Sequence, residues 1–266
     1  MDLELKTPFM QAHVSDGVGW MMFNNPDRRN AMKLEMNHAV VEILTAFDES
    51  DDVRVIVMHG AGDKAFVSGA DISEFAEHRS TPDGRANFEK AWAGADRSFT
   101  NLRKPLIAKI RGFCIGGGLA TALQSDLRVC ADDAQFGIPA ARLGLGYAFG
   151  GIKKLTHIVG PTMAAEIMLT ARKFSAQEAL AMGLVNRVVP AAQLDDEVHE
   201  LATTIASNAP LTVQTAKASV RETFKDPERQ DHDKIAALVE ACFLSDDYEE
   251  GRTAFMEKRP PEFQGK

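Results

Sequence analysis

Two short glycine-bearing stretches are where this chain could do chemistry, and in both the reactive groups are backbone amides rather than side chains. In PLIAKIRGFCIGGGLATALQSD, residues 105–115 are apolar and β-rich, Gly116, Gly117 and Gly118 interrupt them, and Leu119, Ala122, Leu123 and Leu127 return at helical spacing. That reads as a buried strand, a glycine turn and a helix. Glycine has no Cβ, so a ligand can approach the main chain closely, and the first amides of a helix lack an intrahelical acceptor. Such a turn suits a negatively charged oxygen, although three glycines taken alone serve packing more often than catalysis. The second stretch, KAFVSGADISEF, has a brief strand at Phe66 and Val67. Ser68, Gly69, Ala70 and Asp71 then turn the chain into a helix expected over residues 72–79, with Asp71 as its cap and the Ala70 amide positioned by that cap. Two such turns, 47 residues apart from 70 to 117 on successive β/α units, can supply the paired N–H donors that stabilise an oxyanion.

The elements that must position these turns can be read in order. Residues 18–23 form a strand ended by Asn24, Asn25 and Pro26. From Ala31 a helix places Met32, Met36, Val40, Ile43, Leu44 and Phe47 on one face, with His38 and Glu42 off it. A β-branched strand over 53–58 closes in the loop 59–63. Beyond Asp126 a strand ends in an acidic turn. Gly150 and Gly151 then open a helix through Ile152, Leu155 and Ile158, stopped by Gly160 and Pro161. Helices follow over 162–170 and 175–182, the second with Ser175 and Glu178 as a capping box, and then a last short strand over 185–189. The mixed α/β core is expected over residues 1–194. Residues 195–266 should be helical, broken at 208–210 and 226–227, with Leu238, Cys242 and Phe243 as an apolar face for a neighbour.

With 266 residues and 45% hydrophobic content, the chain can bury a full core. Its net charge of −8 and scattered Lys and Arg give no electrostatic footprint for nucleic acid or for an anionic membrane. Cys114, Cys130 and Cys242 form no Cys-x-x-Cys or Cys/His cluster, so they read as free thiols in a reducing compartment, with no metal site. No signal-peptide run and no stretch of 18 apolar residues occurs. A cytoplasmic location without membrane attachment is the expectation.

The pairing of KAFVSGADI with GFCIGGGLATALQSDLRVCADDAQFGIPAARLGLG resembles the crotonase superfamily, the enoyl-CoA hydratase/isomerase family. The resemblance runs from Asn25 and Pro26 through RRNAM, the two turns, the FGIP segment and AQEALAMGLVNRVV to the C-terminal AFMEKRPPEF. It implies an α/β fold, a spiral of ββα units with a C-terminal helical region that trimerises, assembled as a homotrimer or a dimer of trimers. It also implies an acyl-CoA thioester substrate, with coenzyme A entering as part of that substrate and no separate cofactor. The thioester oxygen would accept from the amides of Ala70 and Gly117. Lys64, Ala70, Asp71 and Ile72 would contact the coenzyme A portion, joined by Phe255 and Lys258 from a neighbouring subunit.

The chain departs from that family where proton transfer would occur. Its hydratases carry one glutamate three residues past the middle glycine of the turn and another just after the proline of the FG-x-P segment; here these positions hold Ala120 and Ala140. Hydration needs a base for water and an acid for the α-carbon, each contributing roughly 10²–10⁴-fold, and alanine is neither. Tyr147 matches a tyrosine of the superfamily's decarboxylases acting on malonyl-type esters, which however carry a histidine where Ala70 stands. Arg142 and Glu74 could reach an acyl group, whereas His78 and His157 have no recognisable partners. Three classes follow: an acyl-CoA enzyme of the lyase type relying on the oxyanion hole, a malonyl-type decarboxylase, and a non-catalytic binder of CoA esters.

Overall fold

The computed structural model describes residues 2–71, 74 and 82–266. A six-stranded sheet runs in the order β1 (Met10–Ser15), β2 (Val18–Phe23), β3 (Val55–Gly60), β5 (Leu106–Ile110), β7 (Leu127–Ala131) and β10 (Arg187–Val189). A four-stranded sheet is ordered β4 (Ala65–Val67), β6 (Phe113–Ile115), β8 (Gln135–Gly137) and β9 (Phe174–Ser175). The chain passes from the first sheet to the second three times, from β3 to β4, from β5 to β6 and from β7 to β8. This is the expected spiral of ββα units. Apart from the β1/β2 and β8/β9 pairs, neighbouring strands are parallel.

The single strand expected over 105–115 is two strands in different sheets. Gly112, at φ +61°, makes the step, and a Cβ there would lie 2.2 Å from the Lys64 carbonyl oxygen. Only glycine permits both the left-handed backbone and that approach. Strand β1 lies outside the sequence expectation; its outward and inward residues alternate at first, and it pairs antiparallel with β2.

Helix α1 (Leu34–Glu49) buries Met36, Val40, Ile43, Leu44 and Phe47 and exposes His38 and Glu42, as its pattern dictates. Met32 is buried too, but it precedes the helix. Helix α2 (Pro82–Asn101) packs along α1, and α3 (Gly117–Ala122) follows the glycine turn. Helix α4 (Phe149–Thr170) is two helical segments that meet at Gly160 and Pro161, where the sequence expects the first to stop. Gly160, at φ 77° and ψ 164°, leaves the helical region, and Pro161 opens the second segment, where its missing amide needs no acceptor. The capping box before α5 (Ala176–Ala181) is formed: the Glu178 amide donates to Ser175 Oγ at 3.2 Å, and the Ser175 amide donates to Glu178 Oε2 at 2.8 Å.

Past β10 the described chain is helical, with α6 (Leu194–Ala206), α7 (Pro210–Glu222), α8 (His232–Phe243) and α9 (Asp246–Glu257). Leu194, Val198, Ala202 and Ala206 of α6, four residues apart, cover Val18, Val55, Val57, Ile107 and Val129 of the large sheet. Helix α7 is tied to the core by polar bonds. Arg221 Nη1 donates to the carbonyls of Phe99 (3.2 Å), Thr100 (2.9 Å) and Leu102 (3.1 Å), just where α2 ends. Asp126 accepts from Arg221 at 3.3 Å and from Lys217 at 2.7 Å. The anticipated face of Leu238, Cys242 and Phe243 divides: the Thr215 hydroxyl of α7 lies 3.4 Å from both the Leu238 carbonyl and Cys242 Sγ, whereas Phe243 is exposed. The reason is rotational, since 238 and 242 share a helical stripe that 243 leaves.

All three cysteines are free. Burial pushes the Cys130 thiol up to about 12 and the Cys114 thiol well above its usual value, so both stay protonated and unreactive. Among the described residues no helix is long and apolar enough to cross a membrane, and no group of His, Cys, Asp and Glu could hold a metal ion.

Candidate active site

The Ser68 to Asp71 turn is held by the loop of residues 25–32. Ser68 donates its amide to the Arg29 carbonyl (3.1 Å) and its hydroxyl to the Arg28 carbonyl (3.3 Å). Met32 donates to the Gly69 carbonyl (2.8 Å) and accepts from the Asp71 amide (2.9 Å), so Met32 and Ala70 form a parallel bridge. In that geometry the bonds fall on the flanking residues, and the Ala70 N–H turns away from Met32. Buried Asn30 clamps the loop: its Nδ2 donates to the carbonyls of Ala61 (3.0 Å) and Ala65 (2.8 Å), and its Oδ1 accepts from the Asn25 amide (3.0 Å). Of the helix expected over 72–79 only residue 74 is described; Ile72 and His78 lie outside the described residues. Glu74 is spoken for, its carboxylate accepting the Leu34 amide at the start of α1 (2.9 Å).

The glycine turn is held by close packing. The Gly116 amide donates to the Gly137 carbonyl of β8 at 2.8 Å. A Cβ on Gly118 would stand 1.9 Å from the Val67 carbonyl oxygen, so β4 and the start of α3 touch backbone to backbone. Gly117 faces the other turn: a Cβ on it would lie 3.4 Å from the Ala70 nitrogen and 3.6 Å from the Gly69 carbonyl carbon. Among the described residues neither the Ala70 nor the Gly117 amide has an acceptor. Two unspent donors therefore stand side by side, one supplied by each turn. A pair of fixed donors of this kind recognises an oxygen that gains negative charge.

The rim is cationic. Lys64 is exposed and accepts the Phe113 amide on its carbonyl at 3.0 Å; the Phe113 ring has the Arg29 guanidinium 5.1 Å and the Lys173 ammonium 4.8 Å from its centroid. Arg29 and Lys173 escaped the sequence reading because 144 residues, from 29 to 173, separate them and no motif joins them.

The family model described as enoyl-CoA hydratase/isomerase matches residues 13–266. The chain belongs to the enoyl-CoA hydratase/isomerase family. It is 35% identical over 243 residues to the crotonyl-CoA hydratase of Syntrophomonas wolfei subsp. wolfei, covering 91% of this chain and 93% of that protein. It is 37% identical over 244 residues to the carnitinyl-CoA dehydratase of Shigella flexneri, covering 90% and 92%. A crystal structure of an enoyl-CoA hydratase/carnithine racemase from Magnetospirillum magneticum superposes with a TM-score of 0.91 at 33% identity, covering 98% of this chain and 97% of that one.

Within this family member the remaining residues of interest are spread out. Ala120, one turn along α3 from Gly117, lines a cleft between α1 and α2, and Ala140 is buried in a short 3-10 turn, Pro139–Leu143. Pro139 abuts the glycine turn, its Cδ 3.6 Å from a Cβ built on Gly116. Tyr147 follows that 3-10 turn, half-buried, with its ring over Gly151 and its hydroxyl unpartnered among the described residues. Burial pushes its phenol up to about 12, which keeps it a donor. Arg142 is exposed. Phe255 and Lys258 stand exposed at the end of α9, with Phe255 at 82% exposure, and one chain gives them no enclosed site.

Proposed function

We propose that this chain binds an acyl-CoA thioester and holds the thioester oxygen on the amides of Ala70 and Gly117, so that an enolate formed there is stabilised. The supporting observation is the close approach of the two turns with both donors free, 3.4 Å separating the Gly117 side-chain direction from the Ala70 nitrogen. Each aimed donor contributes about 2.7–4 kcal/mol to such a transition state. Arg29, Lys64 and Lys173 suit the phosphates of coenzyme A, with Asp71 and Ile72 next to the amide pair in the chain. Phe255 and Lys258 would complete that end from a neighbouring copy in a trimer or a dimer of trimers.

Ordinary hydration is disfavoured in this reading. Ala120 and Ala140 stand where the family's hydratases carry glutamates, and neither can move a proton. The described carboxylate closest in sequence beyond Asp71, that of Glu74, already accepts a helix amide. A second reading, decarboxylation of a malonyl-type thioester, draws support from the unpartnered Tyr147 hydroxyl. There the bond from the α-carbon to the carboxylate breaks, CO₂ leaves, and the electron pair passes into the enolate held by the two amides. The α-carbon then takes a proton from solvent, so no general base is needed.

The test presents purified protein with crotonyl-CoA, malonyl-CoA and methylmalonyl-CoA, following CO₂ release and the loss of conjugated thioester absorbance. Crotonyl-CoA should hydrate at least about 10²-fold more slowly than with a glutamate-bearing relative. Hydration at the relative's rate would refute the reading of Ala120 and Ala140. Binding of all three esters without turnover of any would leave a CoA-ester binding protein.

A further inference from the structure

Helix α9 divides its side chains between two neighbouring stripes. Asp247, Gly251 and Ala254 share one, at steps of four and seven residues, and Tyr248, Arg252 and Phe255 share the next. The second stripe is exposed, whereas Asp247 and Ala254 of the first are buried. Residues 259–265 of the same chain cover that first stripe. Lys258, at φ 57° and ψ 37°, makes the left-handed turn that ends the helix, and Pro260 and Pro261 have no amide with which to prolong it. The chain then runs back along α9 toward its start. Arg259 grips the Glu250 carboxylate through Nη1 and Nη2 (2.6 and 2.8 Å), and the Glu262 amide donates to it at 2.8 Å. The Phe263 ring lies 3.4 Å from a Cβ built on Gly251. At the far end Asp247 takes two amides, that of Gln264 on Oδ1 at 2.6 Å and that of Gly265 on Oδ2 at 2.8 Å. Asp247 is 4% exposed, so its carboxylate has exchanged water for these charge-assisted bonds.

The same segment reaches the core. Arg54, one residue before β3, donates from Nη2 to the Phe263 carbonyl at 2.6 Å and from Nη1 to the carbonyl of Ala206, where α6 ends, at 3.1 Å. Gly265 lies against Pro210 at the start of α7, with a Cβ built on it 3.3 Å from that ring. One guanidinium therefore joins the large sheet, α6 and residues 259–265, and Asp247 passes that tie on to α9. The reversal falls on Lys258 itself, and Phe255 stands on the stripe beside the covered one.

We propose that residues 259–265 are a strap whose fastening through Asp247 and Arg54 sets where α9 offers Phe255 and Lys258 to the coenzyme A portion held by a neighbouring copy. Asp247 and Arg54 are then positioning residues of that site. This rests on the reading that Phe255 and Lys258 complete the site across a subunit boundary.

Calorimetric titration of the full chain with free coenzyme A tests it, in Asp247→Asn and in Arg54→Met, each with Phe255 and Lys258 intact and with both replaced by alanine. In Asp247→Asn one amide keeps its oxygen and the other meets the asparagine Nδ2, donor against donor, while Arg54→Met frees the core end without touching α9. Each should weaken coenzyme A binding about three- to tenfold and speed hydrogen exchange at residues 262–265. Neither should weaken it further once Phe255 and Lys258 are alanine. Where one variant does not fold, the other carries the same comparison. Unchanged affinity with Phe255 and Lys258 intact would overturn the inference, as would an equal loss in their absence, which is the mark of a general loosening. Coenzyme A binding that is missing from the unmodified protein, or untouched by Phe255→Ala with Lys258→Ala, would bring down the cross-subunit reading as well.

Discussion

The two turns that present the amide pair are built in opposite ways. The Ala70 turn is laced to residues 25–32 by hydrogen bonds, with Asn30 alone making three, and the lacing loop carries Arg29 and Asn30 at φ +53° and +56°. Consecutive non-glycine residues in the left-handed region are uncommon, and the Asn30 bonds offset what they cost. The Gly117 turn has little lacing. It is fixed by the absence of side chains, since Gly118 meets the Val67 carbonyl where a methyl group would otherwise stand. A laced turn loosens by degrees as bonds are lost, whereas a turn held by contact either fits or does not.

Gly118→Ala should therefore have the largest effect. Its Cβ would fall 1.9 Å from a backbone oxygen, and neither backbone can give without breaking the contact between β4 and α3. A loss of more than about 4 kcal/mol is expected, read as a collapse of the urea unfolding midpoint. A folded variant of ordinary stability would break the contrast, because contact would no longer be what holds that turn. Asn30→Ala comes next, at about 2–4 kcal/mol, since it takes a partner from the buried Ala65 carbonyl, the part-buried Ala61 carbonyl and the buried Asn25 amide. If the comparison holds, its turnover falls gradually with the lost stability and is partly restored by stabilising osmolytes.

Gly117→Ala should separate site from scaffold. Its Cβ would sit 3.4 Å from the Ala70 nitrogen, an ordinary contact, so stability should stay within about 1 kcal/mol. The methyl group would occupy the space of the substrate oxygen, and acyl-CoA turnover should drop about 10²-fold. Unchanged turnover in this folded variant would remove the oxyanion-hole assignment. Tyr147→Phe should show the smallest effect, a three- to tenfold loss in CO₂ release from malonyl-CoA, in line with about one hydrogen bond. Because the phenol titrates near 12, above its ordinary 10, it is protonated throughout the range below pH 10, and the substitution should not alter the pH profile there. A shifted profile would mean that Tyr147 acts as an ionising group.

The sequence makes the two turns legible because glycine runs, a strand-like lead and a helical follow-on are local signals. The capping box at Ser175 and the helix breaks at 208–210 and 226–227 are readable for the same reason. What escaped depends on the third dimension. One apolar run, 105–115, serves two sheets, and only the contact between Gly112 and the Lys64 carbonyl shows why it must bend. Residues 25–32 look like a simple turn, yet Asn30 bonds to a carbonyl 35 positions away. Asp96 and Lys154 from two helices meet Gln124 in the turn after α3 at separations of 28 and 30 residues, which no spacing rule reveals.

The attachment of α7 sets an order of events in time. Arg221 grasps three carbonyls more than a hundred positions earlier in the chain, and these exist as a convergent trio only once α2 has ended against the core. During synthesis, at about 5–20 residues per second, the last strand of the spiral, ending at Val189, emerges about 2–6 seconds before Arg221. Until then Asp126 and the end of α2 wait on water for their partners. Such long-range closure is slow to find its place. Refolding should accordingly show a late step that Arg221→Ala alters and Phe243→Ala does not, measured by stopped-flow fluorescence with hydrogen exchange at residues 99–102. Protection appearing there in the first phase of both variants would show that the spiral closes without its fastening.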